Sequence, residues 1–150
     1  MPLVFGHDQV VADWAAERVG AAFHPPYVAW GVTDATGMLT GALVFNEYYR
    51  GGNISLSLAG QGAMRREVLR AAAIYVFRQL GCTRVTARTR RSNLAMRRIL
   101  GRSWKFECTQ PRWFGPEKAD DALVYVLFPE MAERWIARRK VTNGLDTLAA

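Results

Sequence analysis

The amino-acid sequence predicts an α/β fold, with a mixed, mostly antiparallel central sheet flanked by helices in a single domain. Three observations carry that expectation. Three β-rich segments separated by turn residues follow Pro26, the middle of the chain changes to a helical period, and the last third returns to β-rich segments before a final helix. A chain of 150 residues has room for one sizeable core and little for a second domain.

Taken in order, Asp8 is placed to cap a helix from about Gln9 to Val19, with Val10, Trp14, Ala15 and Arg18 on one stripe and Gly20 to end it. Pro25 and Pro26 block helix, so Tyr27 to Val32 reads as a strand that turns through Asp34 to Gly37. Met38 to Tyr49 is rich in β-favouring residues and forms the second strand. Arg50 to Asn53 is a turn, and Ile54 to Leu58 alternates as the third strand. Val68, Leu69, Ala72, Ala73, Val76, Phe77 and Leu80 then fall at helical spacing, which predicts an amphipathic helix from Met64 to Leu80 closed by Gly81. Thr83 to Thr89 sets Val85 and Ala87 against Arg84, Thr86 and Arg88, as a strand with one polar face does. Ser92 or Asn93 caps a further helix whose core face holds Leu94, Ile99 and Leu100 and which Gly101 stops. Trp104 to Gln110 and Ala122 to Phe128 read as closing strands, and Pro129 opens a last helix to about Arg139. The domain is thus expected over residues 1–140, with 141–150 a frayed tail.

Composition excludes several classes. Half the residues are apolar and 22% are charged, without repeats or low-complexity tracts, so disorder and solenoids are poor readings. No apolar run approaches the roughly 20 residues that span a bilayer. Asp8 and Asp13 interrupt the N-terminal apolar stretch, so secretion and membrane insertion are not expected and a cytoplasmic location is. Cys82 and Cys108 lack CxxC spacing, and His7 and His24 stand near the N-terminus with no neighbouring carboxylate pattern, so neither a disulfide framework nor a metal site is expected.

Charge is concentrated. Between Gln61 and Trp113 stand thirteen Lys or Arg against Glu67 and Glu107, a net +11, leaving seven against eleven, or −4, elsewhere. Such a field suits a polyanion, whether a nucleic acid or the phosphates of coenzyme A, and a solvated set of helix faces is the structural alternative.

The stretch Arg70 to Phe106, with its run AAAIYVFRQLGCTRVTARTRRSNLAMRRILGRSWKF, resembles the core of the GNAT acetyltransferases. The likeness is to the branch of ribosomal-protein and aminoglycoside N-acetyltransferases. A long helix ends at Leu80-Gly81, an Arg84-Val85 strand follows, and Asn93 opens a short helix. In element order the resemblance extends from Tyr27 to Phe128. It implies a GNAT-like fold and an acyl-CoA-dependent N-acyltransferase, with acetyl-CoA as acyl donor, an amine-bearing acceptor as partner and no metal. It also implies that the third strand splays from the strand after the long helix, so that its backbone, at Leu56 and Leu58, receives the pantetheine amides as a substitute strand. The diphosphate then belongs on the loop before the long helix, here Ala59 to Arg66, where Gly60, Gln61, Gly62, Arg65 and Arg66 are the candidate contacts. Asn93 is a further candidate.

The loop departs from the family pattern Gln/Arg-x-x-Gly-x-Gly/Ala. One register puts Gln61 first but Met64 and Arg66 at small-residue positions; the other aligns Gly60 and Gly62 but begins on Ser57. The segment Gly101 to Trp104 also replaces the usual Leu-Gly-Phe. Direct attack of an amine on a thioester needs a deprotonated acceptor, a donor to the thioester oxygen and a proton for the leaving thiolate. The Tyr that many GNAT enzymes carry on the second short helix is replaced by apolar residues around Leu100. Glu47 and Tyr125 are the remaining candidates for base and acid. Two alternatives fit the basic segment: a GNAT-like enzyme modifying nucleobases, of the phage Mom type, and a degenerate nucleic-acid-binding module without chemistry.

Overall fold

The computed structural model describes residues 2–137. Seven strands form one sheet: β1 (Leu3–Val4), β2 (Val28–Thr33), β3 (Leu39–Asn46), β4 (Asn53–Ala59), β5 (Arg84–Arg90), β6 (Lys105–Gln110) and β7 (Ala122–Leu127), in the order β1-β2-β3-β4-β5-β7-β6. Every neighbouring pair is antiparallel except β4 with β5. The mixed, mostly antiparallel sheet is as expected; the two-residue β1, which covers the edge of β2, has no legible signal in the sequence.

Helix α1 (Asp8–Val19) packs on one face against Ala29, Ala42, Val44 and Ala59. The other face carries α2 (Arg66–Ala73), continued by a π-helical segment (Ile74–Gln79), α3 (Leu94–Ser103), and α4, helical from residue 129 to 137. The larger core lies there, where Val68, Ala72 and Val76 meet Leu43, Phe45, Ile54, Leu56 and Val85. A smaller cluster joins Leu100 of α3 to Ala87, Leu123 and Tyr125. The expected end of α4 near Arg139 and the expected frayed tail lie outside the described residues.

Several local readings are corrected. Asp8 does not cap α1: it is the first helical residue, and its Oδ1 accepts the Ala29 N–H at 3.3 Å, tying the helix to β2. The buried stripe is Val11, Ala12 and Ala15, leaving Val10 65% exposed. β3 ends at Asn46 rather than Tyr49, because Glu47 takes a left-handed conformation (φ 48) that breaks the ladder. The long helix starts at Arg66 and not Met64, since Gln61–Met64 forms a separate 3₁₀ turn. α3 runs through Gly101 to Ser103, and Leu94 is 63% exposed at its first turn, so of the expected face only Leu100 is fully buried. Gly20 and Gly81 do end their helices with φ of 66 and 70.

The basic segment is partly neutralised. Arg78, Arg84, Arg88, Arg90 and Arg91 pair with Glu133, Glu107, Glu47, Asp120 and Asp121, and of these acids only Glu107 belongs to the segment itself. The surplus counted along the chain therefore does not persist as one uncompensated face. No described helix is long and apolar enough to cross a membrane.

Candidate active site

The sheet opens at the parallel junction between β4 and β5. β4 and β5 are paired over three positions, Asn53 with Arg84, Ile54 with Val85 and Ser55 with Thr86, and then separate. Leu56 to Ala59 remain bonded to β3 on one side, and Ala87 to Arg90 to β7 on the other. Each strand thus turns one row of backbone groups into the gap. At its vertex, Thr86 Oγ1 lies 2.6 Å from Asn53 Oδ1 and accepts from Arg84 Nε at 3.1 Å, while Glu107 holds that arginine with two bonds. A polar lock thus sits where the splay starts.

The gap is part of a cleft of about 1560 Å³ that reaches both faces of the sheet, more than the roughly 300–1,000 Å³ of ordinary small-molecule sites. Pleat alternation gives the two sides different chemistry. Toward α2 and α3 the walls are apolar, with Leu56, Leu58, Ala87, Met96 and Leu100; toward α1 the strands contribute the polar Ser55, Ser57, Thr86, Arg88 and Arg90, beside the apolar Val19, Phe23 and Tyr27. Tyr75, on the π-helical segment, also lines the cleft. Burial raises its hydroxyl above the ordinary tyrosine value, with Cys82, Asp8 and Tyr48 adding smaller contributions, so it stays protonated at neutral pH. π-Helical turns are frequent at functional sites, and an unbroken apolar period gave no hint of this one.

Leu56, Leu58, Gly60, Gln61 and Asn93 all line the cleft. Asn93 also caps α3, its Oδ1 accepting from Met96 N at 3.1 Å. Gly60 and Gly62 are explained by packing within the chain. A Cβ on Gly60 would lie 2.4 Å from the Thr40 carbonyl oxygen and one on Gly62 2.5 Å from Thr40 Oγ1, while one on neighbouring Gly41 would lie 2.3 Å from Ala63 N. The 3₁₀ turn is therefore seated directly on β3, and Gly62 is buried rather than on the cleft wall. Arg65 and Arg66 are exposed at the start of α2, off that wall. Arg66 instead borders a second cavity of about 590 Å³ with Arg70, Arg102 and Arg134, which adjoins the first at Leu56, Met64 and Ile99. No side chain caps α2, so its first-turn N–H groups have no side-chain partner, and Arg65 and Arg66 stand beside them.

Glu47 lies on the cleft, 3.0 Å from Arg88 Nη1 through Oε1, and Asn53 Nδ2 donates to its carbonyl at 3.0 Å, which supports the left-handed backbone. Such a conformation in a non-glycine residue costs about 1–3 kcal/mol and clusters at functional sites. Tyr125 does not line the cleft. It is 6% exposed in the α3 cluster, edge-on to Phe106 at 5.6 Å, so Glu47 and Tyr125 are not brought together. Arg90, Trp113 and Phe114 line the cleft and were not singled out from the sequence. The alternation of arginines along β5 was their one available signal. Among the described residues no group of three or more His, Cys, Asp or Glu side chains is placed to hold a metal.

No family model matches the chain, and no curated protein matches its sequence. Solved structures do match. A spermidine N-acetyltransferase, a chimera of the Vibrio cholerae enzyme and hSSAT, superposes with a TM-score of 0.61 at 14% identity over 72% of this chain and 69% of its own. A mutant spermidine/spermine N-acetyltransferase from Vibrio cholerae gives 0.61 at 16% identity over 76% and 72%. A Vibrio cholerae protein provisionally described as a ribosomal-protein-serine acetyltransferase gives 0.57 at 24% identity over 69% and 64%. The chain has the fold of the GNAT N-acetyltransferases, the fold that the sequence resemblance implies.

Proposed function

We propose that this protein is an acyl-CoA-dependent N-acyltransferase. The observation that carries the reading is the splay of β4 from β5, which leaves the backbone of Leu56 to Ala59 free on one side at the wall of a long cleft. An extended pantetheine chain would complete the sheet there through main-chain hydrogen bonds. The apolar wall of Leu56, Leu58, Ala87 and Leu100 would exclude water from its methylenes. The free N–H groups at the start of α2, with Arg65 and Arg66, would take the diphosphate. Arg70 and Arg102 at the adjoining cavity extend that positive rim.

The acceptor would enter from the polar α1 side. Its neutral amine nitrogen forms a C–N bond to the acyl carbonyl carbon, the C–S bond breaks, and the proton lost by nitrogen passes to Glu47, whose Oε2 is not used by Arg88. The thiolate, derived from a thiol of pKa about 8.5, is a weak enough base to be protonated by solvent. Tyr125 would support α3 rather than supply that proton. Alignment of amine and thioester supplies most of the rate, on the order of 7–11 kcal/mol for well-oriented reactants.

Acetyl-CoA-dependent release of free thiol in the presence of primary amines tests the activity. Glu47→Gln should keep acetyl-CoA affinity and melting temperature and lower turnover by roughly 10²–10⁴-fold. Higher pH should restore part of the loss. Full turnover in that variant from pH 6 to 9 would remove Glu47 as the base.

A further inference from the structure

We infer that the acceptor is an amine that also carries an anionic group, a carboxylate or a phosphate, held by Arg90 and Arg88 on the α1 side of the cleft. The inference deepens the acyltransferase reading and rests on it.

Both arginines stand on the polar face of β5, two residues apart and so about 7 Å apart along the strand. Each guanidinium is fixed from behind. Arg88 donates Nε to Gln110 Oε1 at 3.0 Å and Nη1 to Glu47, and its plane lies 4.7 Å from the Trp113 ring. Arg90 donates Nη1 to Asp120 Oδ1 at 3.2 Å and Nη2 to the Gly20 carbonyl at 3.3 Å, and lies 4.6 Å from the Phe114 ring. The loop carrying these rings is itself tied down: Phe114 N donates to the Asp120 carbonyl and Arg112 N to Asp121 Oδ1. A guanidinium has five N–H donors, so these bonds leave each arginine with donors to spare, held in a fixed plane beside the opening.

Arg18, Arg88 and Arg90 line the cleft with Glu17 and Glu47, and each arginine already faces one carboxylate, Arg90 that of Asp120 from outside the cleft wall, so recognition rests on their unused N–H donors and not on surplus charge. Glu47 already faces Arg88. A second cationic arm on the acceptor would therefore meet arginine, whereas an anionic oxygen would find a fork geometry suited to carboxylate and phosphate. With the amine at Glu47, the anion reaches Arg90 a few bonds away.

The test measures acetyl-CoA-dependent thiol release with matched amines: 4-aminobutyrate against its neutral amide, O-phosphoethanolamine against ethanolamine, and 1,4-diaminobutane as the dicationic case. The carboxylate or the phosphate member should exceed its neutral partner in kcat/KM by about tenfold or more, and the pair showing the preference identifies the anion. Arg90→Gln should bring that ratio toward parity through KM while leaving acetyl-CoA affinity unchanged, and Arg90→Lys should recover part of it. Equal or better use of the neutral or dicationic amines overturns the inference, as does a preference that survives in folded Arg90→Gln. If Arg90→Gln fails to fold, the parent's own preference and the Arg90→Lys variant decide. If no amine is turned over, calorimetry with 4-aminobutyrate and O-phosphoethanolamine on the acetyl-CoA-loaded protein decides, and absence of binding to both overturns it. Failure of acetyl-CoA itself to bind marks failure of the acyltransferase reading, and the inference falls with it.

Discussion

Gly41→Ala probes the seating of the loop before α2 on β3. A Cβ at this position would lie 2.3 Å from Ala63 N, 2.8 Å from Gly62 C and 3.0 Å from Gly62 Cα. All three are backbone atoms, so no side-chain rotation relieves the collision. The 3₁₀ turn must lift from the strand. Overpacking of this kind costs about 1–3 kcal/mol, which for a domain of this size lowers the melting temperature by roughly 2–12 °C. The turn leads directly into Arg65 and the first turn of α2, so acetyl-CoA affinity should fall as well. Differential scanning calorimetry gives the first quantity and isothermal titration the second. Gly31→Ala is the comparison: its closest contact, 2.7 Å, is Leu39 Cδ2, a side-chain end, and it should leave acetyl-CoA affinity intact. An unchanged melting temperature and affinity in Gly41→Ala would refute the seating of the turn on β3.

Gly101→Ala should stabilise the protein by about 0.5–1 kcal/mol, because the residue lies inside α3 with nothing within 4 Å of an added Cβ; destabilisation in a denaturant titration would return Gly101 to the role of helix stop. Arg84 holds the Glu107 carboxyl below the usual carboxylate range, so its stabilisation is present above the unfolded glutamate value and is lost as pH falls through and below it. Glu107→Gln should cost about 0.2–1 kcal/mol at pH 7, the range for part-exposed ion pairs, with the difference shrinking in urea titrations as the pH falls below the ordinary glutamate range.

The elements legible in the sequence are those with a strong period or strong punctuation. β2, β3 and β4 follow from β-favouring runs set between Pro26, the Asp34 to Gly37 turn and the Arg50 to Asn53 turn, and Gly20 and Gly81 end helices as read. The misreadings share a physical cause: a residue's local preference was overridden by a tertiary partner invisible in one dimension. Asp8, a good cap by type, is used by the Ala29 N–H instead. Gly101, a good stop by type, is carried through because α3 continues to Ser103 over the core contact of Leu100.

The candidate site divides along the same line. Leu56, Leu58 and Asn93 follow from element order and do line the cleft. Gly60 and Gly62 look like a phosphate loop in sequence, yet the contacts that require glycine are with Thr40, twenty residues earlier. Tyr125 has suitable chemistry, but strand parity turns it into the cluster under α3. Arg88 was legible on the alternating polar face of β5, and Arg90 lies one position past the expected end of that strand. Their meaning comes from Trp113, Phe114 and Asp120, which a separate loop brings behind them.

The account depends most on the open edge of β4. Amide hydrogen exchange measured residue by residue, with and without saturating acetyl-CoA, tests it directly. Slowed exchange is expected among the cleft-facing amides of Leu56 to Ala59 and at the first turn of α2, with exchange in β1 and β6 unchanged. Binding without protection at β4, or no binding at millimolar acetyl-CoA, would contradict it.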